Sequence, residues 1–113
     1  MTTITKTSKE LSKKEIYQMT MSPKIQKISD NKGAVIDVAA YCFYSDEKAD
    51  GKTVDILSVM DSDGSIYATN SPTFRDDFER ICEIMDGEDF SIEIISGTSK
   101  AGREFVTCSL ISL

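Results

Sequence analysis

A chain of 113 residues with 40% hydrophobic side chains has the size and composition of one globular domain with a modest core. It has no histidine, which removes the commonest general base and metal ligand, and its three cysteines, Cys42, Cys82 and Cys108, stand far apart without a CxxC pair, which argues against a disulfide framework or zinc knuckle. The net charge of −6 is uneven: residues 1–32 carry seven lysines against three acidic residues (+4), whereas residues 33–113 carry six basic and sixteen acidic side chains (−10).

Residues 1–14 are rich in Thr, Ser and Lys and read as a flexible basic arm, ahead of a single domain over residues 15–113. No hydrophobic signal segment opens the chain and no apolar run approaches the roughly 20 residues of a membrane span, so a cytoplasmic location is expected. Ile16–Met21 suggests a short strand ended by Pro23, and Asp30-Asn31-Lys32-Gly33 is a turn signal.

Ala34 to Tyr44 is rich in β-formers, with Ile36, Val38, Ala40 and Cys42 on one face and Asp37, Tyr41 and Phe43 on the other. A polar loop, Ser45 to Lys52, leads to a second strand, Val54 to Met60. Asp63-Gly64 suits a two-residue hairpin turn, which would set Met60 opposite Tyr67 on the outer surface and leave Leu57, Val59, Ile66 and Ala68 in the core. Ser71-Pro72 is a helix start, and Phe74, Phe78, Ile81 and Met85 recur at helical spacing until Gly87. A second hairpin follows, Phe90 to Ile95 and Glu104 to Ile111.

Three strands, one helix and two strands is the order of the OB-fold, a five-stranded Greek-key barrel; an α+β roll is the competing architecture. The loop "ISGTSKAGREF" (Ile95–Phe105) between the last two strands lacks the GxxxxGK[ST] pattern and the following helix of a P-loop. In an OB-fold it flanks the oligonucleotide groove, where Lys100 and Arg103 would meet phosphate; as an ordinary hairpin it carries only solvated charge. Tyr41, Phe43, Tyr67 and Phe105 lie out of phase with the aliphatic faces of their strands, which suits base stacking or, alternatively, a second small core. Lys6, Lys9, Lys13 and Lys14 are either phosphate contacts or a solubilising tail. Asp61-Ser62-Asp63-Gly64 lacks the ligand series of a calcium loop, and Asp76, Asp77, Glu79 and Glu83 read as a solvated helix face; no catalytic set, metal site or cofactor is expected.

The runs "DGSIYATNSPTFRDDFERI" (Asp63–Ile81) and "EDFSIEIISGTSKAGREFVTC" (Glu88–Cys108), with the weaker "MTMSPKIQKISDNKG" (Met19–Gly33), resemble small single-stranded DNA-binding proteins of bacteriophages and mobile elements in Gram-positive bacteria. The resemblance covers roughly residues 15–112. It implies a non-enzymatic OB-fold protein that coats and protects single strands during DNA replication in the host cytoplasm. Cellular relatives end in a disordered acidic tail with an apolar tip, whereas "CSLISL" here follows a strand, so neither recruitment by such a tail nor the cellular tetramer is carried over. The expected strand-binding residues are Tyr41, Phe43, Lys52, Tyr67, Lys100, Arg103 and Phe105, with Lys24, Lys27 and Lys32 as further phosphate contacts. The expected partners are single-stranded DNA, replication proteins and, through exposed strand edges, a second copy of the chain. The alternative, motivated by the −10 body, is an acidic interaction module or nucleic-acid mimic that blocks a host enzyme.

Overall fold

The computed structural model describes residues 2–7 and 11–111. Their order is β1 (Thr2–Thr7), α1 (Lys13–Thr20), β2 (Gln26–Lys27), a 3-10 turn (Ile28–Asp30), β3 (Val35–Glu47), β4 (Thr53–Asp61), β5 (Ile66–Thr69), α2 (Pro72–Met85), β6 (Ser91–Thr98) and β7 (Glu104–Ile111). The fold is mostly β, with a curled half-barrel sheet in the order β2-β5-β4-β3-β6-β7 and β1 added along β3. The sheet is mixed because β2 runs parallel to β5 and every other pair is antiparallel.

β3 is long enough to serve three neighbours. Its first residues pair with β6, its far end with β1, and most of its length with β4, from Val38 opposite Asp61 to Glu47 opposite Thr53. β5 and β7 are not paired with each other among the described residues, so the half-barrel stays open between them. α2 enters at that gap. Ser71 donates a long hydrogen bond of 3.5 Å to the carbonyl of Val106, and the Thr107 hydroxyl donates to the Asp77 carboxylate.

α2 forms where its signals place it. The Ser71 hydroxyl accepts from the Phe74 N–H, Pro72 opens the helix, and Asp86 closes it in the left-handed region at φ 47. Its Phe74 and Phe78 are fully buried with Ile36, Leu57, Val59, Ile92 and Ile94, filling the concave side of the sheet. Each such side chain contributes about 1.5–3 kcal/mol by leaving water.

Four expectations are corrected. First, there are two α-helices, because Ile16–Met21 is not a strand. Ser12 and Glu15 form a reciprocal capping box that starts α1, and its helical spacing sends Met19 alone fully into the sheet. Second, residues 2–7, expected to be part of a flexible basic arm, form a strand: β3 outruns β6, and β1 supplies hydrogen-bond partners to the exposed edge from Cys42 to Asp46. Residues 8–10, including Lys9, lie outside the described residues.

Third, the β4–β5 hairpin closes one residue away from the expected register. Asp61 N–H donates to Ser65 at 2.8 Å, making a three-residue loop, and Val59 rather than Met60 lies opposite its Tyr67 partner position. A one-residue slip exchanges the faces of a strand. Tyr67 therefore packs against the concave core, while Met60 and Ile66 turn to the convex side. Fourth, a bulge between Val38 and Ala40 inverts the alternation of β3. Ile36 faces the concave core, but beyond the bulge Tyr41 and Phe43 take that face and Cys42 and Tyr44 take the other. The convex side consequently has its own small core, Met19, Cys42, Tyr44 and Ile66, roofed by α1.

Candidate nucleic-acid interface

The bulge and the register shift decide where the expected aromatics lie. Tyr41 sits edge-on to Phe78, ring centroids 5.3 Å apart at 79°, and edge-on to Phe43 at 5.7 Å. Burial pushes the Tyr41 hydroxyl up to about 12, with the adjacent Cys82 thiol adding to the rise. Phe43 is buried, and Tyr67 is half-buried against the same core. These three rings face the concave core, which corrects the expectation that they form an outward stacking platform.

Phe105 is the exception. It is 36% exposed and its ring lies across the hairpin over Gly97, so close that a β-carbon there would stand 2.6 Å from the ring.

Three hairpins share one turn construction. In "KADGK" (Lys48–Lys52), "DSDGS" (Asp61–Ser65) and "SKAGR" (Ser99–Arg103), the first N–H donates to the fifth carbonyl at 2.8 Å, and the fourth residue is a glycine at φ 81 to 89. This is the three-residue hairpin loop that requires a left-handed residue. It sets Lys48 and Lys52 across one turn, both exposed, and holds Lys100 and Arg103 in solvent at another.

The 48–52 turn follows the last residue of β3, whereas the 99–103 turn lies beyond its first, because β6 runs from Ser91 opposite Asp37 past Val35. They stand at opposite ends of β3 rather than side by side. Lys32 is tied to Glu104 at 3.4 Å near the second turn, with its side chain 41% exposed. Lys24 is exposed beside the β4–β5 turn, lining a hollow of about 330 Å³ with Asp63 and Gly64.

At the end of β3 that leads into the 48–52 turn, the convex face carries a groove of about 510 Å³. Tyr44, Val54, Ile56 and Ala68 floor it, and Thr20 and Ile25 form the wall on the α1 side. Lys27 and Lys48 stand exposed on its rim, and the acidic Asp46 also lines it, between Tyr44 and Lys48. Lys27 is held there by β2, where it pairs with Ala68 of β5, and Lys52 faces Lys48 across the turn. An apolar floor between ammonium groups can take the flat faces of bases while the lysines meet phosphate. Burial pushes the Tyr44 hydroxyl up, partly offset by its hydrogen bond with Ser58, so this ring is a neutral, fixed part of the floor.

Lys48 and Tyr44 escape a reading of the sequence alone. The parity that links Tyr44 to Cys42 is legible, but nothing marks the bulge that turns this face outward. Among the described residues no group of three or more His, Cys, Asp or Glu side chains is placed to hold a metal ion, and no helix is long and apolar enough to cross a membrane. No match to the chain is found among protein-family models, curated proteins or solved structures.

Proposed function

We infer that the chain is a non-enzymatic binder of single-stranded DNA, largely indifferent to sequence, built on an OB-type fold. It coats and protects strands exposed during phage or mobile-element replication in a bacterial host. The observation that carries this reading is a coincidence of topology and surface. Leaving aside β1 and β2, the five main strands pair in the order β5-β4-β3-β6-β7, with α2 inserted between β5 and β6. This is the OB order without its closing pair. In an OB-fold the second and third strands and the turns after the first and fourth strands bind oligonucleotides. Here the second and third strands are β4 and β5, whose convex face holds the groove, and the two turns are those carrying Lys48, Lys52, Lys100 and Arg103.

In this reading a strand lies along the convex face, with bases over Val54, Ile56 and Ala68 and phosphates at Lys27, Lys48 and Lys52. Lys100, Arg103 and Phe105 engage a strand that continues past the start of β3. The acidic face of α2 points elsewhere and discourages binding there. A gel shift with labelled oligothymidine against duplex of equal length tests the proposal: preference for the single strand supports it, and absence of a shift with either probe removes it.

The −10 charge of residues 33–113 favours a second reading, an acidic mimic that occupies a host nucleic-acid-binding enzyme. That reading expects no oligonucleotide affinity and a stable complex with a host protein in a pull-down.

A further inference from the structure

α1 is an addition to the five-strand plan, and its outward face has a composition that its structural role does not require. Met19 fastens the helix to the sheet. Opposite Met19 on the helical wheel lie Lys13, Lys14 and Tyr17, and the same arc continues to Met21 at the C-cap. All four are exposed, Tyr17 by 53% and Met21 by 70%. Tyr17 and Thr20 are three residues apart in α1 and so are neighbours on its surface, which sets this face beside the groove wall that Thr20 forms.

We propose that this outward face of α1 is a second contact surface for the nucleic acid, in which Tyr17 stacks on a base as the strand leaves the groove and Lys13 and Lys14 meet the flanking phosphates. The proposal rests on the strand-binding reading and extends it to a helix that the OB plan does not contain. Charge selects the occupant: lysines flank the ring on a helix whose acidic first-turn residue, Glu15, is turned aside into the capping box. A strand supplies both a flat apolar face and a phosphate within one nucleotide repeat, matching one aromatic between two cations. A lipid surface fits less well, because Tyr17 and Met21 alone bury too little apolar area to hold an eight-residue helix at a membrane.

The chain offers its own reporter. It has four tyrosines and no tryptophan, and Tyr41, Tyr44 and Tyr67 are wholly or half withdrawn into the two cores. Intrinsic tyrosine emission should be quenched by oligothymidine of about 20 nucleotides, long enough to pass beyond the groove. Tyr17→Phe should keep the affinity and lose most of the quenching. Tyr17→Ala should weaken binding of the long oligonucleotide about tenfold and leave one of about six nucleotides unaffected. Lys13→Gln with Lys14→Gln should lower the salt dependence for the long probe alone. The proposal is overturned if quenching persists in Tyr17→Phe, if Tyr17→Ala binds both lengths as the native chain does, or if these changes reduce binding to anionic phospholipid vesicles and not to DNA. Native chain that binds neither length removes the strand-binding reading itself, an outcome distinct from variants that merely fail to differ.

Discussion

The Ser58 hydroxyl, fully buried on the convex face of β4, donates to the backbone carbonyl of Met19 in α1. The residue four places after Met19 is Pro23, which has no N–H to give, so the sheet supplies the partner that the chain itself lacks. This bond and the Met19 side chain hold α1 over the groove wall. Ser58→Ala leaves a buried carbonyl unpaired and should cost about 1–3 kcal/mol, while Met19→Ala opens a cavity and should cost about 2–5 kcal/mol. Urea unfolding midpoints measure both, and a neutral Ser58→Ala would mean that the carbonyl finds another partner.

A pH dependence follows from the inner core. Tyr41 and Cys108 are both pushed up to about 12, chiefly by burial, and burial raises Cys42, Cys82 and Tyr44 as well. Each group is neutral when protonated and stays protonated longer in the folded chain than in the unfolded one. Their contribution is therefore fully present below the ordinary thiol and phenol values and is lost as pH rises through the folded values. Unfolding curves should show stability falling from about pH 9 upward. Tyr41→Phe should shed less stability than the native chain above about pH 10.

Gly97 and Phe105 form a packed unit across the last hairpin. A methyl group at position 97 meets the ring at 2.6 Å, so Gly97→Ala must displace the ring and should destabilise the chain by about 1 kcal/mol, the low end of overpacking costs, because Phe105 is partly exposed and can shift. In a Phe105→Ala background the same change should cost far less. A double-mutant cycle measures the coupling, and additive effects would show that the ring does not rest on the glycine.

How much of this could be read beforehand differs by element. α2 was legible because its cap, proline, apolar spacing and closing glycine all agree. The hairpin strands were legible, but their register was not: Asp63-Gly64 is compatible with two- and three-residue loops, and only the tertiary choice puts Tyr67 opposite Val59. α1 carries its capping box openly at Ser12 and Glu15, yet its lysine-rich composition resembles an arm until the sheet offers Met19 a place to bury. The groove depended on the bulge after Val38, where one extra residue sends Tyr41 inward and Tyr44 to the convex face. Lys27 was identifiable as a cation, but its place on the rim comes from a two-residue parallel pairing that no local pattern announces.

The separation of the basic turns makes a graded prediction. Lys27→Gln and Lys48→Gln, on the groove rim, should each weaken oligothymidine binding and lower the slope of log affinity against log salt by about 0.7. Replacing Lys100 and Arg103 together with alanine should leave the fold intact and reduce the slope mainly for longer oligonucleotides, because that turn lies at the other end of β3. Affinities titrated over several salt concentrations with short and long probes separate the two sites. Equal effects of both sets on the short probe would place the strand elsewhere.

The most direct measurement is a nitrogen-15 NMR titration of the full chain with oligothymidine. Amide shifts should concentrate at Lys27, Lys48 to Lys52, Ile56 and Ala68 and weaken as salt is raised from about 50 to about 500 mM. Unchanged spectra, or shifts confined to the acidic surface of α2 and the segment from Asp86 to Glu93, would contradict strand binding at the groove.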